Sequence, residues 1–235
     1  MRKGDEKKQE ILQTAEQLFC RKGFKETSVQ DILDVLHTSK GSFYHHFESK
    51  DQVLEQLCRR RAELSAADTA ERVVALPEGD PARLNEVLMG MLPLKNGEAE
   101  FMAMLLPILF TAEGRTLAVA YQDALTEAFS PMLERELLAA CRSGLLCTPG
   151  SQPLTPVICA ILNRCWLKAA EMMLTALRNG GADTDATDLL EELNMTRSAL
   201  ERLTDAPFGS LRLIDMNEWF ETRKRISQLM VPEAR

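Results

Sequence analysis

The first 62 residues set short apolar periods between caps and turns. Ile11, Leu12, Ala15, Leu18 and Phe19 recur at i, i+1, i+4, i+7 and i+8, which is one face of a helix. Gly23 supplies a left-handed stop, and Phe24 is placed to fold back on that helix. Thr27 and Gln30 read as a capping box that opens a second short helix carrying Val29, Ile32, Leu33 and Leu36. His37 and Thr38 break it, and Ser39 caps a third, very short helix from Lys40 to Phe47. Ser49 and Gln52 form another capping box, from which a long helix runs from Lys50 to about Ala75.

Past the punctuation of Leu76-Pro77-Glu78-Gly79-Asp80-Pro81, the pattern predicts helices near 82–91, 99–111, 115–143 (bent at Pro131), 155–179 and 184–204. Breaks are expected at 93–97, 149–156 and 180–185. A last segment, 210–230, holds Trp219, Phe220 and Ile226. No period-2 alternation suggests a strand, and no repeat is visible. The fold class is therefore all-α: an N-terminal three-helix head, residues 1–50, is joined by a long helix to a helical body, residues 51–235.

A helix, a tight turn and a short second helix, with another helix behind, form the layout of a helix-turn-helix DNA reader. Gly41 and Ser42 keep one side of the third helix small, so its backbone can approach a groove about 12 Å wide. Ser39, Lys40 and Ser42 lie on the leading turn, where they can bond phosphates or base edges. Tyr44 and His45 project from the later turn. Phe43 and Phe47 face inward as anchors. Thr27, Ser28 and Gln30 begin the second helix, Thr38 follows it, and Lys50 begins the fourth. There, free amides and the helix dipole favour a phosphate.

These residues carry a resemblance. The stretch Thr27-Ser28-Val29-Gln30-Asp31-Ile32-Leu33, then Ser39-Lys40-Gly41-Ser42-Phe43-Tyr44-His45-His46-Phe47 and Ser49-Lys50-Asp51, resembles the signature of the tetracycline-repressor (TetR) family. Ala15-Glu16-Gln17-Leu18-Phe19 and Lys22-Gly23-Phe24 match as well, so the resemblance covers roughly residues 8–62. It implies a DNA-binding regulator, a repressor released from palindromic operator DNA by a small-molecule effector. It also implies a body that binds the effector and forms a homodimer through two helices per subunit. The candidates for those helices are 155–179 and 184–204, although an apolar helix such as the first can equally be central to its own domain. Where family members commonly carry Gly then Val in the turn, this chain has His37 and Thr38. Histidine is among the residues that tolerate positive φ.

Charge divides in the same way. The formal net charge is −7, yet residues 1–62 hold 12 Lys+Arg against 10 Asp+Glu, and the remainder hold 16 against 25. A mildly basic head on an acidic body suits a protein whose head alone meets phosphate. Candidates to line an effector pocket are Phe101, Leu105, Tyr121, Asn163 and Trp166, with Met102, Met104, Phe110, Phe129 and Gln122 nearby; ordinary core packing is the alternative.

Other function classes find little support. No GxSxG, P-loop, dinucleotide fingerprint or HExxH occurs, so no enzyme and no cofactor is expected. A helical adaptor that had lost DNA binding is the other rival, and Lys40, Tyr44 and Lys50 speak against it. His45 and His46 point about 100° apart on a helix, so no metal site is expected; His46 is read as wedged against the fourth helix. Six cysteines form no zinc spacing. Cys20, Cys58, Cys159 and Cys165 fall in apolar contexts, and Cys141 and Cys147 near a helix end are the likelier to react. No apolar run is long enough to span a membrane and no secretory leader is evident, so a cytoplasmic protein is expected.

Overall fold

The computed structural model describes residues 3–93, 96–112, 114–147, 154–178 and 184–230. Its helices are α1 (Lys3–Lys22), α2 (Val29–Leu36), α3 (Lys40–Tyr44), α4 (Lys50–Ala75), α5 (Pro81–Gly90), α6 (Ala99–Leu109), α7 (Gly114–Arg142), α8 (Thr155–Arg178), α9 (Thr184–Thr204) and α10 (Met216–Met230). A 3-10 turn, Asn96–Glu98, precedes α6. Among the described residues there is no strand, and the class is all-α. The predicted breaks at 149–156 and 180–185 fall largely outside the described residues, as does residue 179 at the end of the predicted 155–179 helix. Helix α7 runs through Pro131 as one element.

The apolar core of the head is continuous with that of the body. Ile11, Leu12, Ala15, Leu18 and Phe19 of α1 are all buried, and they meet Ile32 and Leu33 of α2, Phe43 and Phe47. Gly23 takes φ 92°, its N–H donating to Phe19 at 2.9 Å. The chain there reverses, and Phe24 packs edge-on against Phe19 at 5.0 Å.

The start of α2 corrects the predicted cap. Ser28, not Thr27, is the N-cap: its Oγ accepts from the Asp31 N–H at 3.1 Å, and Asp31 accepts from the Ser28 N–H at 2.7 Å. Thr27 is buried, with its hydroxyl donating to the Gly23 carbonyl at 2.7 Å. The sequence TSVQD offers Thr-x-x-Gln and Ser-x-x-Asp one residue apart. A carboxylate accepts more strongly than an amide, and the Thr27 methyl gains by burial. Asp31 is also bonded to Lys22 at 2.8 Å, and that contact, with the Ser28 bonds, holds its carboxyl well below the usual carboxylate range.

As the turn requires, His37 is left-handed (φ 47°, ψ 45°), and the Thr38 N–H returns to Leu33 at 3.1 Å. Helix α3 closes at Tyr44 rather than Phe47, the chain continuing as turns in which His46 and Phe47 both donate to the Phe43 carbonyl. Ser49 caps α4 as expected, but the Gln52 side chain reaches back one residue further, accepting from the Glu48 N–H at 2.7 Å.

Helix α4 links head and body. Its first turns bury Val53, Leu54 and Leu57 under the head, and its later turns lie along α5 and α7. Gly90 permits the α4–α5 approach, because a Cβ there would collide with Thr69 and Phe129. Arg83 of α5 grips Glu136 of α7 with two bonds, 2.9 and 3.2 Å. Helix α8 packs on α7 and α9, and α10 closes over α6 with Trp219 and Ile226 buried. The 210–230 segment thus belongs to the body.

Candidate nucleic-acid interface

The sequence-predicted DNA contacts separate into an outward ridge and an inward set. On the ridge, Ser39, Lys40, Gly41, Tyr44 and His45 are exposed, and Ser42 is half-buried. Phe43, between them, is fully buried and meets Tyr44 and Phe47 ring to ring at 5.4 and 5.8 Å. One side of α3 is therefore fixed in the head core while the other stands in solvent. Tyr44 is 55% exposed, a large ring left outside by a helix that has a core available to it. Ser39 caps α3, its Oγ accepting from the Ser42 N–H at 3.2 Å.

Gly41 is informative because nothing among the described residues demands it. Its φ is not left-handed, and an added Cβ would meet only Ser39 Oγ, at 3.8 Å. Ordinary contact of that kind tolerates any small side chain.

Two of the predicted residues face elsewhere. The Thr27 hydroxyl is held inside the head, as described. Lys50 Nζ donates to the carbonyls of Phe24 and Thr27 at 2.8 and 2.9 Å and lies 4.4 Å from the Phe24 ring centroid. It is a strut between the start of α4 and the α1–α2 turn, a role that the sequence reading did not assign to it. The carbonyls of that turn are the signal, and a sequence gives no view of them. Ser28 and Gln30 are exposed at the start of α2, Ser28 held in its cap and Gln30 donating to Asp34 at 2.7 Å. Thr38 is half-buried in the turn.

The candidate effector residues do converge. Phe101 of α6, Tyr121 of α7 and Trp166 of α8 form a chain of edge-to-face rings at 6.3 and 5.4 Å, with Leu105 fully buried beside them on α6. Burial pushes the Tyr121 phenol well above its ordinary range, and the Glu98 carboxylate adds to the shift. Asn163 Nδ2 donates to Thr126 Oγ1 at 2.9 Å and to the Gln122 carbonyl at 3.3 Å. Asn163 Oδ1 and Trp166 Nε1 are buried without a hydrogen-bond partner. Two cavities, of about 760 and 600 Å³, lie instead in the cleft between head and body, and Phe24, Lys25 and Ile108 line both. None of the five candidates lines either of them.

The cysteines are thiols. Burial raises Cys58, Cys159 and Cys165, and half-buried Cys20 is pushed up to about 11 by burial and by Glu16; Cys147 is exposed. Among the described residues no group of three or more His, Cys, Asp or Glu is placed to hold a metal ion, and the His45 and His46 rings stand edge-on at 4.9 Å. No helix among them is long and apolar enough to cross a membrane.

A helix-turn-helix head with a solvent-facing third helix, on an all-helical body, defines a protein of the helix-turn-helix class. Residues 11–57 match the family model for bacterial regulatory proteins of the tetR family. The N-terminal domain of the chain is therefore similar to the DNA-binding domain of that family. Among curated relatives, it is 44% identical over 54 residues to the uncharacterized HTH-type transcriptional regulator YerO of Bacillus subtilis, covering 23% of this chain and 19% of the other. It is 43% identical over 53 residues to the HTH-type transcriptional repressor KstR2 of Mycolicibacterium smegmatis, covering 23% and 26%. The chain thus spans about a quarter or less of the length of these relatives. The crystal structure of RolR in complex with resorcinol superposes with a TM-score of 0.53 at 14% identity, covering 96% of this chain and 95% of RolR. That likeness extends the common fold over the body.

Proposed function

We propose that the protein is a DNA-binding transcriptional regulator, a repressor that leaves its operator when a small molecule binds the body. The observation that carries this reading is the outer face of α3, where Gly41 has space for a side chain and lacks one while Lys40, Tyr44 and His45 stand exposed around it. A glycine that the fold does not require fits a surface that must meet a second molecule closely, and a helix in the major groove has that need. Ser39, Lys40, Ser42, Tyr44 and His45 contact DNA. Ser28, Gln30 and Thr38 flank them toward the phosphates, and Thr27 and Lys50 hold the head in shape.

The reader is a homodimer on palindromic double-stranded DNA, since one short helix reads too few base pairs to select a site. Helices α8 and α9 form the dimer surface. Val157 of α8 and Met195 of α9 are exposed at 46% and 62%, and Leu190, Met195 and Ala199 line a shallow groove along α9. The head, residues 1–50, is the reading domain, and residues 51–235 form the effector and dimerisation domain, acting in the cytoplasm. The effector enters beside Phe101, Leu105, Tyr121, Asn163 and Trp166. The unpartnered Trp166 Nε1 and Asn163 Oδ1 suit an uncharged aromatic with a polar substituent, and RolR binds such a molecule on the same fold.

The test is fluorescence anisotropy on labelled DNA from upstream of the protein's own gene, across a salt series. Saturable binding is expected, with Lys40→Ala flattening the salt slope by about one unit and Tyr44→Ala weakening affinity. Binding that matches random DNA in wild type and variants alike refutes the reading.

A further inference from the structure

We infer that Arg61 positions the reading head, by sharing its guanidinium between a carboxylate of the head and the aromatic core of the body. Arg61 lies on α4 with its side chain 24% exposed. Its Nε donates to Glu16 of α1 at 2.6 Å, and its Nη2 lies 2.5 Å from the same oxygen. On the opposite side, Nη1 stands 3.9 Å from Glu98 Oε2, at the turn that leads into α6. The guanidinium carbon lies 5.2 Å from the Phe101 ring centroid. One planar cation thus meets three partners on three sides, a geometry that a lysine ammonium cannot reproduce.

The two carboxylates belong to different parts of the molecule. Glu16 belongs to the head and Glu98 to the body, and both side chains are largely buried, 17% and 11% exposed. In this structure the guanidinium closes on the head carboxylate and stands off from the body carboxylate. A shift of about an ångström toward α6 reverses that preference, and at partial burial such an exchange between carboxylates is strongly felt. Phe101 holds the cation where it is, and Phe101 in turn contacts Tyr121, which contacts Trp166. A displacement at Trp166 therefore reaches Glu16 through close-packed buried groups, which do not absorb movement by compressing. Arg61 touches no DNA; it acts through α1. This deepens the regulator reading, and rests on it, by naming how the proposed effector region moves the head.

The experiment is a double-mutant cycle read by hydrogen exchange on the full-length protein without DNA. Trp166→Phe, Arg61→Gln and the double variant are compared, with α1 amides normalised to those of α9. Trp166→Phe is expected to raise relative α1 exchange about fivefold or more when Arg61 is present, and less than about twofold in Arg61→Gln. Glu16→Gln should block transmission in the same way, and Arg61→Lys should not restore it. A purely structural ion pair gives additive effects, and additivity overturns the inference, as does a Trp166→Phe change confined to the body. DNA affinity of the same variants forms a separate arm. If none binds DNA while the exchange cycle is non-additive, Arg61 couples head to body and the regulator reading is what fails.

Discussion

Gly41 permits fold and function to be separated by one atom. In Gly41→Ala the new Cβ has Ser39 Oγ at 3.8 Å as its nearest neighbour and needs no left-handed φ. Alanine is more favourable than glycine in a helix by about 0.5–1 kcal/mol, and the position is in the first turn of α3, so about 0.5 kcal/mol is appropriate. For a protein of this size that raises the melting temperature by about 1–2 °C. On DNA the sign reverses. A helix with side chains is about 10–12 Å across and the major groove about 12 Å wide, so a valine on the leading face holds the helix away. Losing one base or phosphate contact costs about 1–3 kcal/mol, or roughly 5- to 150-fold in affinity. Thermal melting and anisotropy on Gly41→Ala and Gly41→Val, from one preparation each, supply both numbers. A clear fall in melting temperature for Gly41→Ala would mean the fold itself needs the glycine. Undiminished DNA affinity for Gly41→Val would mean this face never enters the groove. Either result refutes the reasoning.

Lys50→Met removes two charge-assisted bonds and should destabilise the head by about 2 kcal/mol; the salt slope of DNA binding should stay unchanged, whereas a slope lower by about one unit would return Lys50 to the phosphate. Arg83→Met leaves the 4%-exposed Glu136 with Arg135 alone at 2.9 Å and should cost about 3 kcal/mol in chemical denaturation, the low end for a broken buried pair. Burial pushes the Glu136 carboxyl up, but Arg83 and Arg135 outweigh it and hold the group below its ordinary value of 4.5. That part of the stability is present above the unfolded value and lost as pH falls below it, so wild type and variant should converge in acid denaturation and differ fully at neutral pH. Brief alkylation at pH 8 should modify exposed Cys147 first; Cys58, Cys159 and Cys165 should stay unmodified and Cys20, at about 11, should lag, as peptide mass spectrometry would show.

What the sequence made legible is local. The Ile11–Phe19 stripe, the Gly23 stop and the Ser39 and Ser49 caps act over three to eight residues, so pattern alone places the end of α1 and the starts of α2, α3 and α4 to within about a residue. The misplaced cap at Thr27 arose from two overlapping capping patterns, which only burial of the threonine methyl resolves. The third helix was read too long because His46 and Phe47 keep helix-like bonds to Phe43 after the regular ladder has ended. Contacts between distant residues left no such trace. Lys50 finds its carbonyls 23 and 26 residues away, and Arg61 finds Glu16 45 residues away. The Phe101–Tyr121–Trp166 chain joins three helices. Periodicity marks each of those residues as inward-facing without saying what it faces.

The central claim is that two copies of α3 read DNA together. Selection of the purified protein on a random-sequence DNA library tests it most directly. The account predicts enrichment of one palindromic site whose half-sites lie about 10 base pairs apart or a multiple of that, lost when Lys40 and Tyr44 are both replaced by alanine. A library that stays unenriched, or a site without two-fold symmetry that the double variant binds equally well, contradicts it.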